Sequence, residues 1–446
     1  MTIRNEPLDG LVGAEHPRNW PTRKKWTTII LVSVITFNQA MSSTMFTPGI
    51  DKAMEDLQVT NPAMVKLTIS IYVIGLAVGP LVMSPLSEHH GRMPVMHATN
   101  ALFLVASIAC AASVNLPMLL VARFVSGAAN TSLGGAYVAD VMPPALRQRA
   151  MNVWTVGPVL APIVGPIVGG YVSMYTTWRW TFGILSILAA VDIMITVLFL
   201  QETYPPRLAQ LKARQHQNNT TAAPLQQGPD LKTSMARPFL LLLSSPALVV
   251  VSLFLAIAYS YMYIMFTTFA DVFAETYAFN PGEVGLSYLG LGIGCLLGQY
   301  SLDLFMRRYI SDEPRPERNL PVLMAGSVLL ALSLFWYGWA LERRTHWIVP
   351  ILGTAVCGFA ISLFFLGVQT YIVQVYPLYV ASALAASTAV RCIFGLTVPL
   401  STPALYGRLG YGWGNSLLGF LAMAIFPAAL WLWRGSKGLC KEELRQ

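Results

Sequence analysis

Residues 161–172 read APIVGPIVGGYV, two prolines and three glycines in a run otherwise made of Ala, Ile, Val and one Tyr. Pro and Gly weaken helices, so this composition needs a reason if the run lies inside one. Apolar sequence surrounds it on both sides. Of 446 residues 55% are hydrophobic and only 11% charged, and the mean hydropathy is +0.56. A soluble core of this length has no use for so much apolar surface. The chain therefore reads as a membrane protein, and the run as part of a spanning helix.

Runs of about 20 apolar residues, enough to cross about 30 Å of hydrocarbon, recur near 27–47, 66–87, 95–114, 117–139, 151–173 and 178–201. A second set of six lies near 246–270, 283–305, 320–341, 347–374, 380–402 and 412–433. The runs lack strand alternation, which argues against a barrel. Between the sets, QHQNNTTAAPLQQGPDLKTS reads as a flexible polar linker. The expected division is a tail at 1–26, a six-helix bundle at 27–201, a linker at 202–237, a second bundle at 238–434 and a tail at 435–446.

Most of the 29 Lys and Arg fall on one side if both tails and the linker are cytoplasmic, so both termini are expected inside. The net charge of +8 is then a matter of topology, and nucleic-acid binding loses its support. The five cysteines show no disulfide or metal-ligand spacing, and no metal site is expected. The halves share a rhythm: VADVMPPALRQRAM at 138–151 lies against IVQVYPLYVASAL at 372–384, and Trp178 against Trp413. The fold expected is all-α, twelve transmembrane helices in two pseudo-symmetric six-helix bundles about a central cavity.

Charges at membrane depth are costly and mark pathways or interior contacts. Arg123, in the fourth span, is a candidate for proton coupling, the alternative being an interior arginine paired to carbonyls. Asp192 is the one acid well inside a span and a candidate proton carrier, or else hydrogen-bonded structurally. Arg391 follows the small-residue run VASALAASTAV and is assigned to packing or gating rather than substrate contact. Candidate substrate residues are Asn38, Gln39, Tyr259, Tyr263, Phe266, Gln369 and Tyr371. Tyr259, Tyr263 and Phe266 are spaced to share a helical face, which suits amphipathic organic molecules or an interfacial aromatic belt.

The loops carry a family resemblance. SPLSEHHGRMPVM at 84–96 resembles motif A of the major facilitator superfamily: Leu86, Gly91 and Arg92 match, Glu88 stands for the acid, and Ser84, His89 and Met93 depart from the pattern. Gly91 permits a tight turn, and Arg92 is expected to pair with Asp140 in a gating cluster with Glu88. Arg123 and Gly127 match motif B. Ala161 to Gly170 resembles motif C, the antiporter motif, with Gly165, Pro166, Gly169 and Gly170 matching and Ala161 in place of the leading glycine. NWPTRKKW, QETYPPRL and FNPGEVGLSYLGLGIG are similar to segments of the fungal twelve-helix drug:proton antiporters.

The resemblance implies a proton-coupled exporter of drugs, polyamines, toxins or secondary metabolites, working by alternating access and driven by the proton gradient without a cofactor. Its partners would be a small-molecule substrate, protons and membrane lipid, in a monomer of the plasma membrane or, alternatively, a vacuolar or vesicle membrane. A nutrient symporter or facilitator is the alternative within transport, and a nontransporting sensor the alternative outside it. No P-loop or His-Glu-x-x-His site points to an enzyme. The glycines of motif C are expected to admit a neighbouring helix, the eighth span with Gly290, Gly292, Gly294 and Gly298.

Overall fold

The computed structural model describes residues 16–130, 133–217, 231–309, 320–376 and 379–430. The first six spans are α1 Thr22–Met41, α3 Pro62–His90, α4 Arg92–Ala111, α5 Leu116–Ala129 with α6 Gly134–Val141, α7 Pro144–Tyr175 and α8 Arg179–Phe199. A short helix, α2 Ile50–Asp56, follows the first span. The remaining spans are α11 Pro246–Tyr277, α12 Pro281–Tyr309, α13 Leu320–Glu342, α14 Ile348–Val375 and α15 Val380–Met423. Both expected tails lie largely outside the described residues.

Local signals set the helix starts. Asn115 caps α5 by accepting from Met118 N at 2.9 Å, and Ser245 caps α11 by accepting from Leu248 N at 3.2 Å. Asn280 and Glu283 bond reciprocally to each other's backbone N–H at the start of α12, a capping box. Within α15, Gly410 has φ +70° and ψ 178°, a conformation that favours glycine, and it divides the eleventh span from the twelfth.

Among the described residues eight helical stretches are long and apolar enough to cross a membrane, the last two spans being merged in Val380–Leu430. The first, fourth and eighth spans fall outside that set. Each has a visible cause: α1 opens on Arg23, Lys24 and Lys25, the fourth span is broken, and α12 carries Gln299, Asp303 and six glycines. The break departs from the continuous helix expected at 117–139. Asn130, at φ −74° and ψ 102°, leaves the helix after Ala129.

The two halves repeat one packing scheme. In the first, α1 lies on α7, α3 on α5, and α4 on α5 and α8. In the second, α11 lies on α15, α12 on α14, and α13 on α14 and α15, the same pairs six spans later. Across the halves α7 meets α12 and α3 meets α15, again equivalent positions. The expected twelve-helix, two-bundle architecture is the one observed. The polar segment between the halves is not featureless: it holds α9 Pro205–Gln217 and α10 Leu231–Ser244. α8 is peripheral, exposing Ile187, Val191, Met194 and Val197 while Asp192 turns inward, 1% exposed.

Candidate functional site

Between the halves lies a cavity of about 60 Å³. It has room for only a few waters and is smaller than the roughly 300–1,000 Å³ of most ligand sites, so a ligand requires its walls to separate. Thr36, Tyr72, Asn130 and Trp154 face it from the first half, and Tyr259, Tyr263, Phe365, Gln369 and Arg391 from the second. Three of the seven expected substrate residues, Tyr259, Tyr263 and Gln369, are on the wall. Tyr259 and Tyr263 lie with ring centroids 4.7 Å apart, and the Tyr259 hydroxyl donates to Tyr263 at 3.3 Å.

The other four are elsewhere, and helical phase explains why. On α1 the cavity face belongs to Thr36 and Ala40, one turn apart. Asn38 and Gln39 point away into the first half: Asn38 Nδ2 donates to Asp192 Oδ1 at 2.8 Å, and Gln39 Nε2 to Asn100 Oδ1 at 2.9 Å. Phe266 stands behind the wall, its centroid 5.6 Å from Tyr263 and 5.8 Å from Tyr288. Tyr371, two positions along α14 from Gln369, falls about 200° round the helix and does not line the cavity.

Arg391 is the largest change from expectation. It lies on the cavity wall and not in the gating cluster, its guanidinium 4.7 Å from the Tyr259 ring and 5.0 Å from Phe365. Tyr72, Asn130, Trp154 and Phe365 went unassigned from sequence. Only Tyr72 and Asn130 carried a signal, as polar groups inside predicted spans.

Arg123 is 1% exposed and does not reach the cavity. Its Nε donates to Thr68 O at 2.8 Å and Nη1 to Ser42 O at 3.4 Å, and Phe46, Tyr72 and Phe182 surround it at 5.2–5.8 Å. Among the described residues no carboxylate forms an ion pair with it. This is the carbonyl-paired interior arrangement. Tyr72 links the region to the cavity, since its hydroxyl donates to Gln39 O at 2.8 Å and accepts from Asn130 Nδ2 at 3.3 Å. Asp192 Oδ2 is buried without a partner.

At the end assigned to the cytoplasm, the expected pair forms: Arg92 Nε lies 3.1 Å from Asp140 Oδ2, and its Nη1 donates to Ser87 Oγ at 2.6 Å. Glu88 is not part of that pair. It accepts from Arg237 Nη1 of α10 at 3.1 Å, and the Arg237 guanidinium lies 4.3 Å from the Tyr379 ring at the start of α15. Glu202 of the QETYPPRL segment accepts from the N–H groups of Arg92, Met93, Thr203 and Tyr204 at 2.9–3.1 Å. Gly91 has φ +100°, and a Cβ there would collide with the Glu202 carboxylate.

The motif C glycines face a different neighbour from the one expected. A Cβ on Gly165 would come 2.7 Å from Thr44 Oγ1 and 3.1 Å from Met41 O, and one on Gly169 would overlap Met45 O. Their partner is the first span. The eighth span touches the other face of α7 through its own glycines, Gly285 against Pro166 O and Gly292 against Ile163. Gly290, Gly294 and Gly298 pack instead on Ile351, Ala355 and Phe359 of α14. The reason is phase: Gly165 and Gly169 are one turn apart on one face, while Ile163 and Pro166 lie on another.

The prolines of α7 release carbonyls, and Ser33 of α1 and Thr44 just past its end recapture two of them. Pro166 cannot donate to Pro162 O, and Thr44 Oγ1 donates there at 3.1 Å. Pro158 cannot donate to Trp154 O, and Ser33 Oγ does so at 2.9 Å. Both bonds lie within the first half.

Known proteins agree with this architecture. The family model described as Major Facilitator Superfamily matches residues 32–399. "Efflux pump radE" of Floropilus chiversii is 39% identical over 437 residues, 94% of this chain and 81% of that protein. "MFS-type transporter penM" of Penicillium rubens is 36% identical over 444 residues, 95% of this chain and 87% of that protein. The E. coli xylose transporter XylE, in a partially occluded inward-open conformation, superposes with a TM-score of 0.70 at 14% identity, covering 93% of this chain and 98% of that one. The chain belongs to the major facilitator superfamily and is a multi-pass membrane transporter of small molecules rather than an enzyme.

Proposed function

We propose that the protein is a proton-coupled antiporter that exports small amphipathic organic compounds by alternating access. The observation that carries this reading is the cavity between the halves, walled by aromatic rings with a few amides and one guanidinium. Rings supply apolar area and the polar groups fix orientation. The motif C geometry and the relative named as an efflux pump support export over uptake. Drugs, toxins and secondary metabolites are the compounds this wall suits.

The coupling proton is assigned to Asp192. One of its oxygens is bonded to Asn38 while Oδ2 has no partner, so a proton on Oδ2 breaks no existing hydrogen bond. Asn38 lies on α1, and Thr44 just past the end of that helix bonds to α7, whose other face meets α12 of the second half, so a change at Asp192 has a path through α1 and α7 to the contact between the halves. Arg123 supplies a fixed positive charge to the same half. The Glu88–Arg237 and Arg92–Asp140 pairs hold the cytoplasmic ends together in one state and part in the other. The protein acts as a monomer in the plasma membrane with both termini in the cytoplasm, the proton gradient being its driving force and no cofactor taking part.

Inside-out vesicles containing the protein test this. An inward-acid pH gradient is expected to drive uphill uptake of a fluorescent amphipathic probe, abolished by a protonophore. Uptake that is indifferent to the gradient, or accumulation only in right-side-out vesicles, would overturn the antiport reading.

A further inference from the structure

Arg391 is the one charged side chain on the cavity wall among the described residues. No acid lines that wall among the described residues, and three acids of the first half are engaged elsewhere: Asp192 with Asn38, Asp140 with Arg92 and Glu88 with Arg237. The guanidinium is held over the faces of Tyr259 and Phe365, which leaves its N–H edge for an acceptor. Its Nε is buried with no partner. A guanidinium keeps its charge at physiological pH and is built to grip a carboxylate or phenolate through paired N–H groups.

Beside it, Gln369 Oε1 is also buried without a partner, an acceptor facing the same cavity. Leu76, Val159, Met262 and Ile361 supply the apolar remainder of the wall. We propose that the cavity selects amphipathic organic anions, a carboxylate or phenolate carried on a planar apolar skeleton. The acidic group meets Arg391, the skeleton lies along Tyr259 and Tyr263, and a hydroxyl on the ligand donates to Gln369. Cationic compounds of the same skeleton meet a positive wall without a counter-charge and are disfavoured. Arg391 is on this account a binding and specificity residue.

This rests on the reading of the cavity as the substrate site, but not on the direction of transport or its coupling. Equilibrium binding to the purified full-length chain in nanodiscs tests it with three probes of one skeleton: 2-naphthoate, 2-naphthamide and protonated 2-naphthylmethylamine. Naphthoate is expected to bind at least tenfold more tightly than the ammonium. Arg391→Gln should weaken naphthoate by roughly ten- to a hundredfold, the range for losing a charge-assisted hydrogen bond, and leave naphthamide within about threefold. Arg391→Lys should retain part of the preference.

The proposal is overturned if the ammonium binds as well as the carboxylate, or if none of the three binds. It is equally overturned if Arg391→Gln leaves naphthoate unchanged or weakens acid and amide alike, the latter marking a purely structural arginine. The wild-type series decides the charge preference even if a variant fails to fold. Anion selectivity with no pH-driven transport would remove the antiport reading and leave this one standing.

Discussion

The link most open to measurement is Glu88–Arg237, because it joins α3 of the first half to α10, the helix that leads into the second. The contact is 3.1 Å and the two side chains are only 8% and 14% exposed, so water screens it little. A hydrogen bond between charged groups contributes roughly 1.5–3 kcal/mol, and removing one partner also strands the other charge. Taking about 2 kcal/mol, Arg237→Gln or Glu88→Gln shifts the balance of cytoplasm-closed and cytoplasm-open forms about 30-fold towards open. Removing both partners strands nothing, so the double substitution should cost less than the product of the two single effects.

The readout is maleimide labelling of a Thr388→Cys reporter on the cavity wall, applied from the cytoplasmic side of inside-out vesicles. Cys110, Cys295, Cys357 and Cys392 are buried and serve as a silent background. Cys440, outside the described residues, is replaced by Ser. Either single variant should label about 30-fold faster than the parent. Rates within twofold of the parent, or single effects that simply multiply in the double variant, would refute the latch.

Three further outcomes follow from geometry. Gly169→Ala puts a Cβ into the Met45 carbonyl, whereas Gly165→Ala meets the movable Thr44 hydroxyl; thermal unfolding in detergent should show about 2–3 kcal/mol lost at the first and about 1 at the second, with the reverse order counting against the α1–α7 seam. Asp192→Asn should keep substrate counterflow yet lose pH-driven accumulation, and undiminished gradient-driven transport would exclude Asp192 as the proton carrier. Trp178 Nε1 and then Arg179 bond to Asp56, holding its carboxyl below the ordinary range. Its stabilising contribution is therefore full above about pH 4 and lost as pH falls through the lowered value. Asp56→Asn should flatten that acid limb when tryptophan fluorescence is followed.

Span number, the two-half repeat and the Arg92–Asp140 pair were legible because each rests on local signals: apolar length, charge placement and motif spacing. Helix rotation was not legible. The candidate substrate side chains sit in the expected helices, but Asn38 and Gln39 are two of the three residues between the cavity-facing Thr36 and Ala40, and a polar side chain inside a span satisfies itself equally well against a neighbouring helix. Arg391 was misplaced for a related reason. A run of small residues before it signals close packing, and the chain that packs there also delivers the arginine to the cavity. The Glu88–Arg237 pair joins groups 149 positions apart, and no local pattern announces it.

The two faces of α7 now carry separate tasks. Its glycine face is keyed to α1 by backbone contact at Gly165 and Gly169, and by Thr44 and Ser33, which close the carbonyls that Pro166 and Pro158 release. Opening that face would unpair two buried acceptors together, so α7 travels with the first half. Its other face meets α12 through Gly285 and Gly292, a contact of small residues that leaves few side chains to unlock. A rocking motion between halves has its lowest barrier where interlocking is least. The motif that looks weakest as helix sequence therefore makes one side of α7 rigid and the other a sliding surface, and Gly169→Ala and Gly285→Ala should separate the two: the first, with its Cβ overlapping Met45 O, mainly lowers thermal stability, and the second, with its Cβ 2.9 Å from Pro166 O, costs less stability and mainly lowers turnover.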